Sequence, residues 1–379
     1  MITIEKVDTS NKAQVRPFVR LPYQMYANTP QWVPPLLVDQ ELYMNRKKHP
    51  FYEHSTADFF VAVRDGEVVG RIAALENTRY NAYHKTRNAQ FYFFESPDDQ
   101  EVANALFEQV FEWAKARGLE AVMGPKGFSV LDGYGIQVEG FQHRMIMNMM
   151  NYNFDYYPRL LETLGFVKEV DFVSCYLPSE SFILPERIHR IAERVIQHGT
   201  LRVHEFRKKS DLRAWATRIG KLYNDSFVNN WEYYPLTERE IALVLENILM
   251  VADPRLIKII VNKKEEPVGF LFGFLDLSAA MQRAKGHLLP FGIFDIMMEG
   301  KRTDWIAVNG AGVLPEYQGH GGNALLYYEL EKTVMNENFH FKHCDMTQVA
   351  ETTKQMRADL KNLNGVEYKN HRVYHINIE

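Results

Sequence analysis

A glycine-rich stretch near the end of the chain is the clearest place where residue types and spacing could do chemistry. The segment AVNGAGVLPEYQGHGGNALLYYELEKTV, from Ala307 to Val334, has the pattern of an apolar strand, a turn with three glycines in four residues, and a helix. The first N–H groups of such a helix have no partner within it and lie at the positive end of its dipole. Glycines let a phosphate approach these amides closely, so the pattern predicts an anion-binding loop.

Two common phosphate-binding motifs do not fit this loop. No Lys-Ser or Lys-Thr follows the glycines, which excludes a Walker loop. The spacing of Gly319, Gly321 and Gly322 also differs from the dinucleotide fingerprint. An ordinary tight connection, in which the glycines serve only the turn, is the alternative that the bare loop leaves open.

The wider pattern around the loop resembles the acyl-CoA signature of the GNAT acyltransferase superfamily. That signature has a strand, Val-x-Pro, and then Gln or Arg, two residues, Gly, one residue, and Gly or Ala. The matches are Val313, Pro315, Gln318 and Gly321, whereas Asn323 stands at the last small-residue position. The resemblance implies acetyl-CoA or another acyl-CoA as cofactor. It implies that the cofactor-binding residues are Gly312, Val313 and Leu314 for the pantetheine arm, and Gln318, Gly319, His320, Gly321, Gly322, Asn323 and Ala324 around the pyrophosphate.

The first half of the chain has a different sequence at the equivalent place. There the segment FYFFESPDDQEVANALF carries Pro97, Asp98, Asp99 and Glu101 where glycines and a Gln or Arg are needed. Carboxylates at a helix N-terminus satisfy its dipole themselves and repel a pyrophosphate. We therefore expect one cofactor site per chain, in the second half, and a structural or substrate-side role for the first half.

The catalytic groups are less clearly marked. Acyl transfer to an amine needs a base for the amine proton and a donor for the oxyanion. The candidates are Asp304 and Asn309 on the strand before the loop and Tyr317 within it. Many GNAT proteins place a Tyr on the last helix near the thiol, but the aligned position here is Leu360.

Polar residues between glycines in the first half suggest a shaped pocket. In the segment GFSVLDGYGIQVEGF these are Asp132, Tyr134 and Glu139, which we take as candidate substrate-binding residues. A tight turn and a hairpin have the same composition, and this alternative also stays open. No His, Cys and Glu cluster has metal-ligand spacing, so no metal site is expected.

The elements that must position these residues follow one order twice. Each half has a strand, helices, a hairpin, a strand, a helix, another strand and a further helix; in the first half an Asp65-Gly66 turn joins the hairpin. The resemblance covers nearly the whole chain and implies the α/β (α+β) class, with two tandem GNAT-like domains. Each domain is expected to have a mixed, mostly antiparallel sheet flanked by helices. We place the domains at 1–178 and 201–379, joined by a linker helix at 179–200.

The composition limits which binding partners and which cellular compartment we expect. The 379 residues include 44 Lys and Arg against 48 Asp and Glu, so a nucleic acid partner is not expected. Cys175 and Cys344 are too few for a disulfide framework and are expected to be buried free thiols. No apolar run suits a signal peptide or a membrane span, so we expect a cytoplasmic protein without a membrane partner. Oligomeric state is open, a homodimer included.

Three functions fit these features. The first is an acyl-CoA-dependent N-acyltransferase, most simply an N-acetyltransferase, that acts on an amine of a small molecule or amino acid. The second is a Fem-like aminoacyl transferase, since that family also pairs GNAT-like domains; the balanced charge argues against a tRNA-binding surface. The third is a non-catalytic module that binds CoA or another ligand, which the missing Tyr favours.

Overall fold

The chain folds into two compact units. The computed structural model describes residues 1–129, 132–147, 149–228, 230–231, 233–336 and 339–378. Unit 1 consists of Met1–Val173, Ser278–Met298 and Lys369–Glu379, and unit 2 of Ser174–Leu277 and Glu299–Tyr368.

Strands and helices alternate in the order that the sequence predicts. The strands are β1 (Ile2–Lys6), β2 (Thr56–Arg64), β3 (Glu67–Glu76), β4 (Asn88–Glu95), β5 (Ala121–Gly124), β6 (Ile136–Glu139), β7 (Val167–Pro178), β8 (Leu201–His204), β9 (Ile257–Asn262), β10 (Pro267–Leu275), β11 (Trp305–Val313), β12 (His343–Ala350) and β13 (Val366–Asn377). The helices are α1 (Lys12–Met25), α2 (Leu37–Met44), α3 (Thr78–His84), α4 (Gln100–Lys115), α5 (Tyr157–Thr163), α6 (Glu186–His198), α7 (Lys209–Ala214), α8 (Ala216–Ser226), α9 (Glu238–Val251), α10 (Ser278–Ala284), α11 (Gly292–Glu299), α12 (Gly322–Asn336) and α13 (Lys354–Asn362). Within the described residues, none of these helices is long and apolar enough to cross a bilayer.

Unit 1 is built on an antiparallel meander that ends in a parallel pair. Strands β1 to β4 pair antiparallel in sequence order, and β4 pairs parallel with β5. The predicted turn between β2 and β3 is present, with Asp65 and Gly66 both at positive φ, as a two-residue hairpin turn of this kind requires. Helix α4 connects β4 to β5 and buries Leu106, Phe107 and Val110 against the sheet.

Unit 2 repeats this plan. Strands β8, β9, β10 and β11 pair antiparallel in sequence order, and β11 pairs parallel with β12. Helix α12 connects this parallel pair and buries Leu325 and Leu326 in the core of the unit. Each unit thus has a mixed, mostly antiparallel sheet with flanking helices, and the expected fold class is confirmed.

The units are not the contiguous halves 1–178 and 201–379 that we expected. The last strand of the chain belongs to unit 1, where β13 pairs with β5 through Tyr374 and Gly124, and Val373 and Tyr374 are buried. The second part of β7 belongs to unit 2 beside β12, where Ser174 Oγ accepts a hydrogen bond from the Gln348 N–H at 3.1 Å. Each unit therefore contains a terminal strand from the other half of the sequence.

The predicted linker helix and an insertion between β10 and β11, residues 276–304, also have defined places in the fold. Helix α6 lies within the expected range 179–200 and packs in unit 2, where Ala192 and Val195 are buried. The insertion forms α10 and α11, and residues Ser278–Met298 of it belong to unit 1. The Ser278 hydroxyl there accepts a hydrogen bond from the Met147 N–H at 2.9 Å.

Both cysteines are buried, as expected from their apolar strand contexts. Cys175 lies on β7 and Cys344 on β12, and neither forms a disulfide. Burial raises the pKa of the Cys175 thiol to about 11. A thiol with such a pKa is a poor nucleophile at neutral pH, so Cys175 has a packing role.

The exchanged strand leads to a test of stability. Tyr374→Ala removes a buried ring from the unit 1 core and a hydrogen bond to Glu162, and should lower the free energy of unfolding by about 3–5 kcal/mol. Val366→Ala changes an exposed side chain on the same strand and should cost under about 0.5 kcal/mol. Denaturant titration measures both, and hydrogen exchange should show faster opening of α4 than of α12 in the Tyr374 variant. Equal destabilisation of both helices would contradict a place for this strand in unit 1.

Candidate functional site

The strand that leads to the glycine loop has a bulge. The register between β10 and β11 pairs Leu271 with Ala311 but Gly273 with Val308. Two residues of β11, Asn309 and Gly310, therefore lie opposite one residue of β10, and Gly310 has a φ of 97°. Bulges bend a strand and redirect its backbone, and they are frequent beside active sites.

Beyond the bulge, one edge of β11 has no paired strand among the described residues. Its parallel pairing with β12 covers only Trp305 to Val308. The Leu314 N–H donates to the Val268 carbonyl oxygen at 2.9 Å, on the β10 side. Because backbone groups of successive residues point to opposite sides of an antiparallel strand, those of Ala311 and Val313 point to the open side.

This pattern changes the expected contacts of a pantetheine arm. Of the expected set, Gly312 and Leu314 direct their backbone groups to β10, whereas Val313 faces the open side together with Ala311. The Val313 carbonyl oxygen already accepts a hydrogen bond from Gln318 Nε2 at 3.1 Å. An extended ligand would therefore pair with the Val313 N–H and with Ala311.

A short turn connects the strand to α12. Residues Pro315–Tyr317 form one turn of 3₁₀-helix, closed by the Tyr317 N–H donating to the Leu314 carbonyl oxygen at 2.8 Å. Gly319 and Gly321 follow with φ values of 79° and 82°, a backbone conformation that favours glycine. The side chain of Gln318 fastens the turn to the strand and is not aimed at a phosphate.

Helix α12 begins without a side-chain cap. Gly321 precedes its first residue, Gly322, and has no side chain that could accept from the first-turn amides. The N–H groups of Gly322, Asn323 and Ala324 have no acceptor within the helix. Asn323 does not cap them either, because its side-chain amide donates to Asp359 at 2.9 Å. The helix thus offers a group of donors and a positive dipole end to an anion.

The loop of unit 1 is capped by its own carboxylate. Asp99 precedes α4 and accepts hydrogen bonds from the N–H groups of Glu101 at 2.9 Å and Val102 at 3.4 Å. Its carboxylate also pairs with Arg64 at 2.7 Å, and this hydrogen bond lowers the pKa of Asp99 below its usual value. The first-turn donors are therefore occupied and surrounded by negative charge.

An open groove of about 640 Å³ lies beside this capped loop of unit 1. Asp98, Asp99 and Glu101 line it against the single guanidinium of Arg64. The three carboxylates that line this groove make it a poor site for a pyrophosphate.

The glycine at position 321 has a structural explanation as well. A Cβ atom there would lie 2.7 Å from Cγ2 of Val195 and 3.1 Å from Cγ2 of Ile191, both on α6. Close packing against α6 and a positive φ together require glycine. A substitution at Gly321 would strain the fold, so this glycine is explained without a ligand. The uncapped amides of α12 are what indicates an anion site. Gly319, by contrast, has no atom within 4 Å of a Cβ, and His320 is exposed.

Of the three catalytic candidates, Asn309 has the best position. It is half-buried at the bulge, next to the point where β11 and β12 diverge. Asp304 precedes β11, at the end of the strand away from the loop and roughly 30 Å from it at about 3.3 Å per residue. Its carbonyl oxygen accepts a hydrogen bond from the N–H of Lys342. Tyr317 is held by a hydrogen bond from Asn262 Nδ2 to its hydroxyl at 2.9 Å, which indicates a packing role.

The structure adds a carboxylate that we did not predict. Asp345 on β12 is fully buried and lies opposite Ala307, one residue before the last paired position of the two strands. Its carboxylate accepts hydrogen bonds from the hydroxyls of Thr347, at 2.9 Å, and Tyr368. Burial and the nearby Asp345 raise the pKa of the Tyr368 hydroxyl far above its usual value, which keeps this hydroxyl a donor. Asp345 thus places a buried carboxylate next to the point where the strands diverge.

The signal for this carboxylate was present in the sequence. In the segment HCDMTQ, Cys344 and Met346 alternate with Asp345 and Thr347, and only the first two belong to the hydrophobic core. A polar pair on one face of a central strand indicates a buried polar site. In the described residues, no three His, Cys, Asp or Glu side chains are grouped so that they could hold a metal ion.

The candidate substrate residues of the first half have different surroundings. Asp132 is buried and accepts from the Tyr43 hydroxyl at 2.6 Å and from the Phe128 N–H at 2.6 Å. Burial raises the pKa of Asp132 to about 6. Tyr134 stacks on Phe172 with ring centroids 5.0 Å apart, and Glu139 is exposed at the end of β6. Asp132 and Tyr134 have structural partners, so the tight-turn alternative explains them.

The missing helix Tyr is also explained by packing. Leu360, which stands at its position on α13, is buried in the hydrophobic core of unit 2. This position therefore contributes a packing side chain and no catalytic acid.

Part of the chain matches a known family model, and the whole chain shares a fold with solved proteins. Residues 25–124 match the family model described as Acetyltransferase (GNAT) family. A solved tandem GNAT protein from the clavulanic acid biosynthesis pathway shares the fold with a TM-score of 0.57 at 12% identity, covering 100% of this chain and 99% of that one. Residues 25–124 are therefore similar to the GNAT family, and the chain as a whole has the fold of a tandem GNAT protein.

Individual relatives extend over nearly the whole length. A protein of Caulobacter vibrioides named bacterial ceramide synthase is 25% identical over 375 residues, covering 97% of this chain and 96% of the relative. The Escherichia coli protein YghO is 24% identical over 373 residues, covering 96% of this chain and 93% of that relative. A GCN5-related N-acetyltransferase from Sphaerobacter thermophilus has a TM-score of 0.50 at 12% identity, covering 100% and 96% of the two chains.

Charge at the uncapped helix gives a prediction on CoA affinity. Ala324→Glu adds a carboxylate at the third position of α12, where glutamate suits a helix but repels a pyrophosphate. We expect the affinity for CoA to fall at least about tenfold, because a lost amide contact and the added repulsion each weaken binding. Isothermal titration calorimetry measures the affinity. Ala324→Gln has the same length without the charge and should bind within about threefold of the parent. Equal loss in both variants would indicate a steric effect.

The contrast between the two helix N-termini predicts a stoichiometry. Titration of the intact protein with CoA should saturate at about one equivalent per chain, because the first-turn donors of α12 are uncapped and those of α4 are occupied. Asp98→Ala in the first loop should leave both affinity and stoichiometry unchanged. A stoichiometry of two would show that the capped loop also binds the cofactor.

Proposed function

We propose that the chain is an acyl-CoA-dependent N-acyltransferase with one cofactor site, in unit 2. The observation that carries this proposal is the continuous arrangement of a bulged strand, an open strand edge and an uncapped helix N-terminus. An anionic pyrophosphate suits the donors of α12, and an extended amide-containing arm suits the edge at Ala311 and Val313. The residues present therefore fit acyl-CoA.

The protein groups have distinct roles in this reaction. Bound acyl-CoA would supply an activated thioester. The amine forms a carbon–nitrogen bond, the carbon–sulfur bond breaks, and CoA leaves as a thiolate that takes up a proton to become the free thiol. The bulge at Asn309 directs polar groups to the place where charge develops on the acyl oxygen. Asp345 would take the proton that the amine loses, and the hydroxyls of Thr347 and Tyr368 hold its carboxylate in one orientation. Positioning of the reactants supplies much of the remaining rate.

Two pairs of acyl donor and amine acceptor fit the proposed reaction. Acetyl transfer to a small amine is the simplest reaction of the superfamily. A ceramide is a fatty amide of a long-chain amino alcohol. The name of the Caulobacter relative therefore favours a second pair of substrates, a long-chain acyl-CoA as donor and a lipid amine as acceptor. The two pairs differ in chain length and not in the bond that forms.

Turnover measurements decide between transfer and binding alone. Thiol release from acetyl-CoA and palmitoyl-CoA should appear with at least one amine from a panel of amino acids, polyamines and long-chain amino alcohols. Asp345→Asn should lower kcat about 100-fold or more, because it removes the base, while CoA affinity stays within about twofold. Asp304→Asn is the matched control and should retain its activity. CoA binding without turnover of any amine would favour the non-catalytic module.

A further inference from the structure

The insertion carried by unit 1 exposes a group of large apolar side chains. We call this group the apolar patch; its members are Leu289, Phe291, Ile293, Phe294 and Met297, which are 50 to 79% exposed. They lie on α11 and the three residues before it. Soluble proteins rarely expose a contiguous apolar surface of this kind without a binding partner.

The patch is held in place by the rest of unit 1. Gln282 on α10 donates to the carbonyl oxygens of Pro30 at 2.7 Å and Trp32 at 2.9 Å, and the Leu37 N–H donates to the Gly286 carbonyl oxygen at 3.0 Å. The supporting helix α10 also buries Ala280 and Met281. The insertion is therefore anchored on one side and presents its apolar residues on the other.

The exposed charge next to the apolar patch is positive. The acidic residues of α11 are withdrawn from solvent, because Asp295 pairs with Arg283 at 2.7 Å and Glu299 is buried. Lys285, four residues before Leu289 and in the same unit, is exposed. The chain as a whole carries a net charge of −4, so this basic character is local.

We propose that the apolar patch binds the surface of an anionic phospholipid bilayer. A short amphipathic helix with aromatic and aliphatic residues on one face and flanking lysines enters the headgroup region of such a bilayer, where the apolar side chains are buried. Lys285 is attracted to the negative surface potential of such a bilayer. This inference goes beyond the proposed transfer reaction and does not depend on it, and it revises the expectation that the protein has no membrane partner.

Self-association through the same patch is the alternative to lipid binding. In a two-fold symmetric dimer the patch would face its own copy, and Lys285 of one copy would lie near Lys285 of the other. Like charges that face each other oppose such an interface. The charge pattern therefore favours a lipid surface over a second copy of the chain.

Vesicle co-sedimentation tests the proposal on the full chain. Vesicles of phosphatidylcholine with about 30% phosphatidylserine should bind the protein at least about tenfold more tightly than vesicles of phosphatidylcholine alone. The double variant Phe291→Ser/Phe294→Ser and the single variant Lys285→Glu should each weaken binding at least about tenfold. The matched control, Met250→Ser/Val366→Ser, removes two equally exposed apolar side chains elsewhere and should bind like the parent.

The outcomes separate lipid binding from self-association and from a loss of fold. Circular dichroism and CoA titration should show that each variant is folded and keeps its cofactor affinity, so that weaker binding to vesicles reports on the patch itself. No binding of the parent protein to anionic vesicles would overturn the proposal. A dimer in sedimentation velocity that Phe291→Ser/Phe294→Ser dissociates, with equal and weak binding to both vesicle types, would assign the patch to a second copy.

Discussion

Uncapped backbone donors at the start of α12 are the feature on which the functional account depends. A helix leaves its first N–H groups without partners, and a protein satisfies them with a side chain, with water or with a ligand. Here the residue before the helix is Gly321, which has no side chain that could cap these N–H groups. Close packing against Val195 on α6 leaves no room for a Cβ atom at this position. The bulge at Asn309 and Gly310 and the open edge of β11 lie on the strand that leads to these donors. The sequence of the loop thus preserves an anion site at the end of a strand that can pair with an extended ligand.

The two units show how one scaffold reaches two electrostatic outcomes. In unit 1 the carboxylate of Asp99 occupies the equivalent donors, and Arg64 holds that carboxylate in its charged form. The strand before it ends in Glu95, which is buried, pairs with Arg71 at 3.5 Å and accepts from the Tyr157 hydroxyl at 2.8 Å. Burial raises the pKa of Glu95 above its usual value. Unit 1 has therefore replaced a ligand by internal polar contacts at this place, which suits a structural or substrate-side role.

Local features of this fold could be predicted from the sequence because they depend on neighbouring residues. The Asp65-Gly66 turn, the two helices after the equivalent strands and the contrast between Asp99 and Gly321 all follow from side-chain chemistry within a few positions. The place of β13 in unit 1 could not be predicted, because an alternating pattern of apolar residues predicts a strand but not the strand with which it pairs. Asp345 was missed because burial of a strand residue depends on what covers the sheet. The outward apolar residues of α11 have the same spacing as a core helix, so only their exposure separates the two.

Hydrogen exchange measured by mass spectrometry tests the central claim most directly, because it reports on the backbone amides themselves. The free protein and the protein saturated with CoA are compared peptide by peptide. The account predicts slower exchange at residues 319–325 and at Ala311 to Val313 when CoA is bound, and no change at Asp99 to Val102. Protection of the first loop, or unchanged exchange at 319–325 in a protein saturated with CoA, would contradict a cofactor site at the start of α12.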